Sequence, residues 1–366
     1  MEGVRLTEET KNRKADHIKI CLEHKTQARN ATTGFEDVRL IHNALPEIDR
    51  AKIDLSTRVF GFKFSAPIIV GAMTGGTEEA TKINGAIAEV VEKLQLGMGV
   101  GSQRAAIEDK ELTKTFAVTR RKAPNAFLIA NIGAAQLAHG YGVKEVKKAV
   151  DMIEADAVAI HLNSMQEAVQ PEGQTNFKGV LVKIRELAGK LDKPVIVKET
   201  GAGIAAKETR ALEAAGVKAI DVGGLGGTSF AAVEYFRTTK EERKLLADAF
   251  WDWGIPTAVS LVEATQTVKI PIVASGGLRS GTDMAKALAL NACLTSVAQP
   301  VLEAASKSAE ETEKLLSRFI EELRNVMFLV GAKDIKALAK APVGITGATA
   351  EWLKTRGFKI EEYARR

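Results

Sequence analysis

The stretch HLNSMQEAVQPEG (161–173) places His161, Asn163, Gln166 and Glu167 directly behind the apolar run DAVAI (156–160). A short apolar run of this kind reads as a buried strand, and a strand that ends in polar side chains presents them to a ligand rather than to the core. Glu167 among neutral amides could hold Mg2+ bridging a diphosphate, because Mg2+ keeps most of its water and needs few protein ligands. Further anion-binding residue types occur in NRK, with Arg13 and Lys14, and in SQR, with Ser102, Gln103 and Arg104; guanidinium forks and an imidazole match phosphate oxygens. The sequence has no His/Cys cluster for a transition metal.

Glycines point to a second anionic group. GLGGTS (224–229), ASGGLRSG (274–281) and MTGG (73–76) let backbone N–H groups approach an anion, and the helices that follow add their positive N-termini. A phosphorylated cofactor is the economical reading. Lys198 and Asn131 end neighbouring interior strands and carry donors, which suits a planar ring such as a flavin, whose reduced form a lysine near N1 and the C2 oxygen would stabilise. The alternative is an ordinary interior lysine paired with a glutamate. Taken singly each signal is weak, since a GG pair is usually a turn and a strand-end His is as often structural as catalytic; their convergence carries the argument.

The elements that must bring them together follow a pattern. Eight apolar runs, at 66–73, 97–102, 127–133, 157–163, 194–201, 219–224, 270–277 and 293–299, alternate with helical periods at 78–94, 144–155, 206–216, 282–291 and 310–331. Gly216 reads as a C-cap and Thr282 as an N-cap. Eight strand–helix units match an α/β fold of the (β/α)8 TIM-barrel type better than an open doubly wound sheet, and in such barrels the strands' C-terminal ends carry the site. The barrel is expected over 66–332, with an N-terminal extension (1–65) contributing a substrate-binding arm and a C-terminal extension (333–366). These extensions, and a long loop after strand six through 250–258, are places for a lid, a barrel-bottom plug or a subunit contact.

The 366 residues, 45% hydrophobic and 27% charged, have ample length for one large core. The net charge of +5 comes from Lys and Arg interspersed with Asp and Glu on amphipathic stretches, so it reads as solvated helix faces and not as a nucleic-acid surface. Two cysteines, Cys21 and Cys293, make no disulfide framework, and no apolar run reaches the length of a membrane span, so a cytoplasmic protein is expected.

With these residues in view, the chain resembles the type 2 isopentenyl-diphosphate delta-isomerases, FMN-dependent barrels. The matching stretches include NRKADHI (12–18), APIIVGAMTGG (66–76), MGVGSQR (98–104), ANIGAAQL (130–137), HLNSMQEAVQPEG, VIVKETGAGI (195–204), GGTS (226–229), WGIPTA (253–258) and SGGLRSG (275–281). The resemblance implies that Arg13, Lys14, Ser102, Gln103, Arg104 and Gln166 contact substrate, that His161 and Asn163 hold its diphosphate, and that Glu167 binds Mg2+. It places FMN against Gly71, Ala72, Met73, Thr74, Ser102, Asn131, Lys198, Thr228, Gly277, Leu278, Arg279, Ala298 and Gln299. One segment departs from the family: NACLTSVAQP (291–300) has Asn291, Cys293 and Gln299 where Gly, Asp and Leu are usual, which puts FMN phosphate affinity and strand-eight geometry in question.

The implied reaction moves a double bond between isopentenyl and dimethylallyl diphosphate without net redox change. The strand ends offer no well-placed acid pair for an unactivated alkene, so the acid–base chemistry is expected from reduced FMN through N5 and N1, with NAD(P)H only as a priming reductant. Lys198, His161 and Gln166 are the candidate catalytic residues, His161 as diphosphate anchor or, alternatively, general acid. A homo-oligomer, tetramer or octamer, is implied as well. Among rivals, a 2-hydroxy acid oxidase would need a His base near strand seven, an inosinate dehydrogenase a Cys after strand six, and a non-catalytic FMN-binding paralogue draws only on the altered strand eight.

Overall fold

The computed structural model describes residues 2–366, with side chains from Arg13 onward. Eight parallel strands close into a barrel: β1 (Ile68–Val70), β2 (Gly97–Gly99), β3 (Phe127–Gly133), β4 (Ala157–Leu162), β5 (Val195–Glu199), β6 (Ala219–Asp221), β7 (Ile272–Ala274) and β8 (Leu294–Val297), each paired with its sequence neighbours and β8 with β1. All eight lie within the apolar runs. Most are shorter than their runs, because the last residues of each run leave the ladder to form the loops above.

Side chains alternate between the two faces of each strand. The outward set, such as Ile68, Val70, Leu128, Ile160, Val197 and Ile220, packs under the helices in the main core. The inward set begins apolar: Ile69, Phe127, Ile129, Ala157, Ala159, Ile196, Ala219, Val273 and Leu294 form a separate cluster. Two residues further along, every inward position becomes polar or glycine: Gly71, Gly99, Asn131, His161, Lys198, Asp221, Ser275 and Ser296. The barrel is thus a dry column with a polar top.

A hairpin from the N-terminal extension, Thr57–Val59 paired with Phe62–Phe64, plugs the bottom. Phe60, Phe62 and Phe64 set their rings 6.2, 5.5 and 5.5 Å from that of Phe127. The two extensions also meet: Val38–Leu40 pairs antiparallel with Val343–Ile345.

Three local expectations change. The helix Gly281–Ala289 is capped by Ser280, whose hydroxyl accepts from the Asp283 N–H, and Thr282 lies inside it. The segment after β6 is not an open loop; it carries helices Phe230–Arg237 and Glu241–Ala249, and Trp251 is buried, its indole donating to the Gln27 carbonyl at 2.9 Å. The substituted strand eight keeps regular pairing on both sides. Asn291 stands at φ 72°, the left-handed region in which Gly is free and Asn the best tolerated alternative, which explains how it replaces the family's Gly. Gly216 follows its helix at φ 90° as expected of a left-handed cap. Among the described residues no helix is long and apolar enough to cross a membrane.

Phe64 is fully buried between plug and column. Phe64→Ala is expected to lose about 3–5 kcal/mol, read as a lower urea midpoint at unchanged slope.

Candidate active site

The polar top of the column is the floor of a deep cavity. Asn131 donates through Nδ2 to the Val100 carbonyl at 3.0 Å, which orients its Oδ1 to accept from His161 Nδ1 at 2.9 Å. His161 therefore carries its proton on Nδ1 and keeps Nε2 free. Lys198 donates to the Glu199 carbonyl oxygen at 2.6 Å, and among the described residues no carboxylate lies within ion-pair distance of it. This corrects the lysine–glutamate alternative. The Glu199 carboxylate is turned instead to the N–H groups of Thr200 and Gly201, both at 2.6 Å, while burial pushes its carboxyl up to about 7. Lys198 and Asn131 are also not on adjacent strands: β4 runs between them, with His161 beside Lys198.

Glycine loops after β6 and β7 form one wall. Gly226 and Gly277 have φ of 115° and 77°, and a Cβ on Gly277 would stand 2.5 Å from the Gly226 carbonyl oxygen. The glycines are thus required by the approach of the two backbones to each other as well as by any anion they face.

The roof is the helix Glu2–Glu23 of the same chain. Arg13, Lys14, His17, Ile18 and Cys21 line the cavity at helical spacing. Behind the helix the chain crosses the β6 loop, with Ala28 N–H donating to the Gly227 carbonyl at 3.3 Å and Ser229 N–H to that of Thr26 at 2.8 Å. Lys14 donates to the Ser102 carbonyl at 2.7 Å over the Phe116 ring; Arg13 lies 3.8 Å from Glu172, and His17 bonds Glu234 at 3.1 Å.

Between floor and roof stands the 161–174 loop. Glu167 is buried and accepts from Asn163 Nδ2 at 2.9 Å and from the Gln174 N–H at 2.6 Å. Asn163 Oδ1 and Thr74 Oγ1 are buried without partners, as groups awaiting a ligand are. Among the described residues no three His, Cys, Asp or Glu side chains form a metal cage. A cation here would have Glu167 and water, which suits Mg2+.

Of the residues singled out from sequence, Gly71, Ala72, Met73, Thr74, Ser102, Arg104, Asn131, Thr228, Gly277, Leu278, Arg279, Ala298 and Gln299 line the cavity, with Lys198, His161, Asn163, Gln166, Glu167, Arg13 and Lys14. Gln103 does not. It is fully buried in the wall, where Nε2 donates to the Ala149 carbonyl at 2.8 Å and Oε1 accepts from the Asn131 N–H at 2.9 Å, so the side chain ties the wall to β3 and does not face the cavity. Sequence reasoning missed His17, Ile18 and Cys21, though the successive 3–4-residue steps from Arg13 and Lys14 to His17 and Ile18 and on to Cys21 were a readable helix face.

The basic groups crowd one another out of water. Burial, then Arg13, holds Lys14 down to about 7. Burial, with Lys198, Lys14 and Arg13, holds His161 down to about 3, so the imidazole is neutral near pH 7 and is no general acid in the free protein.

Comparison with known proteins agrees with this geometry. A family model described as FMN-dependent dehydrogenase matches residues 7–136 and 163–344. The chain is 48% identical over 358 residues to an isopentenyl-diphosphate delta-isomerase of Methanosarcina barkeri, covering 97% of each chain. It is 50% identical to one of Pyrococcus abyssi, over 98% of this chain and 99% of that one. The chain belongs to the isopentenyl-diphosphate delta-isomerase family. Solved structures similar in fold include a Pediococcus acidilactici lactate oxidase (TM-score 0.65, 17% identity, 94% of each chain covered) and a mandelate oxidase (TM-score 0.61, 17% identity, 93% of this chain and 98% of that one). This member of the isomerase family thus shares a barrel with flavin oxidases while differing from them in nearly all of its sequence.

An arriving polyanion reverses the crowding and raises the pKa of Lys14 and His161, so binding takes up protons. Titration with inorganic pyrophosphate near pH 8 in buffers of different ionisation enthalpy is expected to show net proton uptake, with affinity falling as the pH rises above about 7. Lys14→Met should remove most of that uptake.

Proposed function

We propose that this chain interconverts isopentenyl and dimethylallyl diphosphate, with reduced FMN supplying the acid–base chemistry at the floor. The observation that carries the reading is the division of the cavity into a donor-bearing glycine-walled floor and a cationic roof. Lys198 and Asn131 would meet the polar edge of the flavin ring, and the loops at Thr228 and Gly277–Arg279 its phosphate. Arg13, Lys14, Arg104 and His161 would bind the diphosphate, and Glu167 a bridging Mg2+. That leaves the alkene over the floor beside Met73, Ile18 and Phe230, the apolar residues that line the cavity there.

In this reading the acid–base pair is the flavin's and the side chains position and bind. His161 is neutral, and the Glu199 carboxylate is occupied by backbone N–H groups. Gln166, which bonds Gln170 at 3.3 Å, positions and cannot ionise. Priming by NAD(P)H and a tetrameric or octameric assembly belong to the same reading and rest on the family resemblance, and a cytoplasmic setting rests on the two unpaired cysteines. The oxidase reading suggested by the fold neighbours lacks its base: the cavity's histidines, His17 and His161, sit on the roof and β4, not beside Arg279.

Anaerobic assay with FMN, Mg2+ and dithionite, against the same mixture kept oxidised, tests the proposal. Turnover only in the reduced sample, without stoichiometric NAD(P)H consumption, is expected; turnover by oxidised enzyme overturns it. Glu167→Gln should raise the Mg2+ concentration for half-maximal activity roughly 10–100-fold.

A further inference from the structure

Asp221 is a buried carboxyl that the assignments above leave without a task. Strand alternation turns it into the barrel, since Ala219 lies in the inward cluster and Ile220 in the outward one. It stands opposite Lys198 in the β5–β6 register and is 7% exposed. Its Oδ1 accepts from the Ser275 hydroxyl on the far side and, at 3.4 Å, from the Gly223 N–H. Asp221 and Lys198 together line a small chamber between the dry column and the floor.

A carboxyl in this position is expensive to bury and needs a reason. It is the one acidic side chain among the eight inward residues of the floor, and Lys198 is the one lysine or arginine there. The bond to Ser275 holds the carboxyl on the β7 side, so it faces Lys198 without forming a contact ion pair. Lys198 therefore makes no contact ion pair with Asp221, while the ionised form of Asp221 opposes its field from below. Burial favours the neutral carboxyl and Lys198 the charged one, so the two groups are electrostatically linked.

We propose that Asp221 is a positioning residue which acts through Lys198, setting how much positive charge the floor presents to the flavin ring. The proposal rests on the flavin reading above. A fully exposed Lys198 charge would favour the anionic reduced ring; the opposing carboxylate weakens that preference and so keeps the N1 proton on the reduced ring over more of the pH range.

The test uses the FMN complex without diphosphate substrate. In Asp221→Asn, reduced FMN should gain up to about tenfold in affinity relative to oxidised FMN, a rise of about 30 mV in two-electron potential. The absorbance of reduced FMN should turn anionic at lower pH. In a Lys198→Met background the same substitution should shift both readings much less, which separates action through Lys198 from a direct effect on the ring. If Asn does not fold, Asp221→Ser gives the same readout. An unchanged potential and an unchanged reduced-flavin titration in a variant that binds FMN would overturn the proposal, as would an equal shift in both backgrounds. Failure of the wild-type chain to bind FMN would instead overturn the reading on which it rests.

Discussion

Positive charge held out of water is the constraint around which this molecule is arranged. Arg13, Lys14 and Lys198 enter one cavity with His161, and the carboxylates nearby are mostly committed: Glu199 to backbone N–H groups, Glu167 to Asn163 and Gln174. The unfavourable energy of such crowding has to be offset by packing elsewhere. The offset is visible in the apolar column and its aromatic plug, and in the helices around the barrel. It is visible too in the arm, pinned by backbone bonds at residues 26–29, which brings its cations to the cavity.

Much of this was legible from the chain. Eight apolar runs gave eight strands because parallel strands buried on both faces need continuous apolar sequence, and that signal survives without tertiary information. The polar ends of those runs located the floor for the same reason. The glycines were read as close approach to an anion, whereas the approach the structure displays is between the two loops themselves, which no single-chain pattern reveals.

What was not legible depended on three-dimensional direction. Gln103 sits between two residues that face the cavity, yet the turn into the helix Arg104–Glu108 rotates it into the wall. His17, Ile18 and Cys21 needed the N-terminal segment to be recognised as a helix with one face inward. Residues 230–255 have aromatic and charged residues without a clean period, so their helices emerge only from packing: Phe236 stacks on His24, and Trp251 meets both Tyr235 and Phe236. The altered strand eight looked disruptive in sequence but keeps its barrel geometry, because Asn291 can occupy a left-handed turn and Cys293 packs at the barrel bottom.

The floor belongs to the ring of strands, while three of the roof's basic groups belong to one helix near a chain end. The cavity is therefore built from separable lengths of polypeptide, a strand-borne floor and a helix that closes over it. A barrel architecture common to this chain and to lactate and mandelate oxidases can then be turned to different chemistry by exchanging what closes over it, with the strands left as they are. Evolutionary change concentrated in the first two dozen residues would remodel the roof of the cavity while leaving the strands beneath it packed as they are.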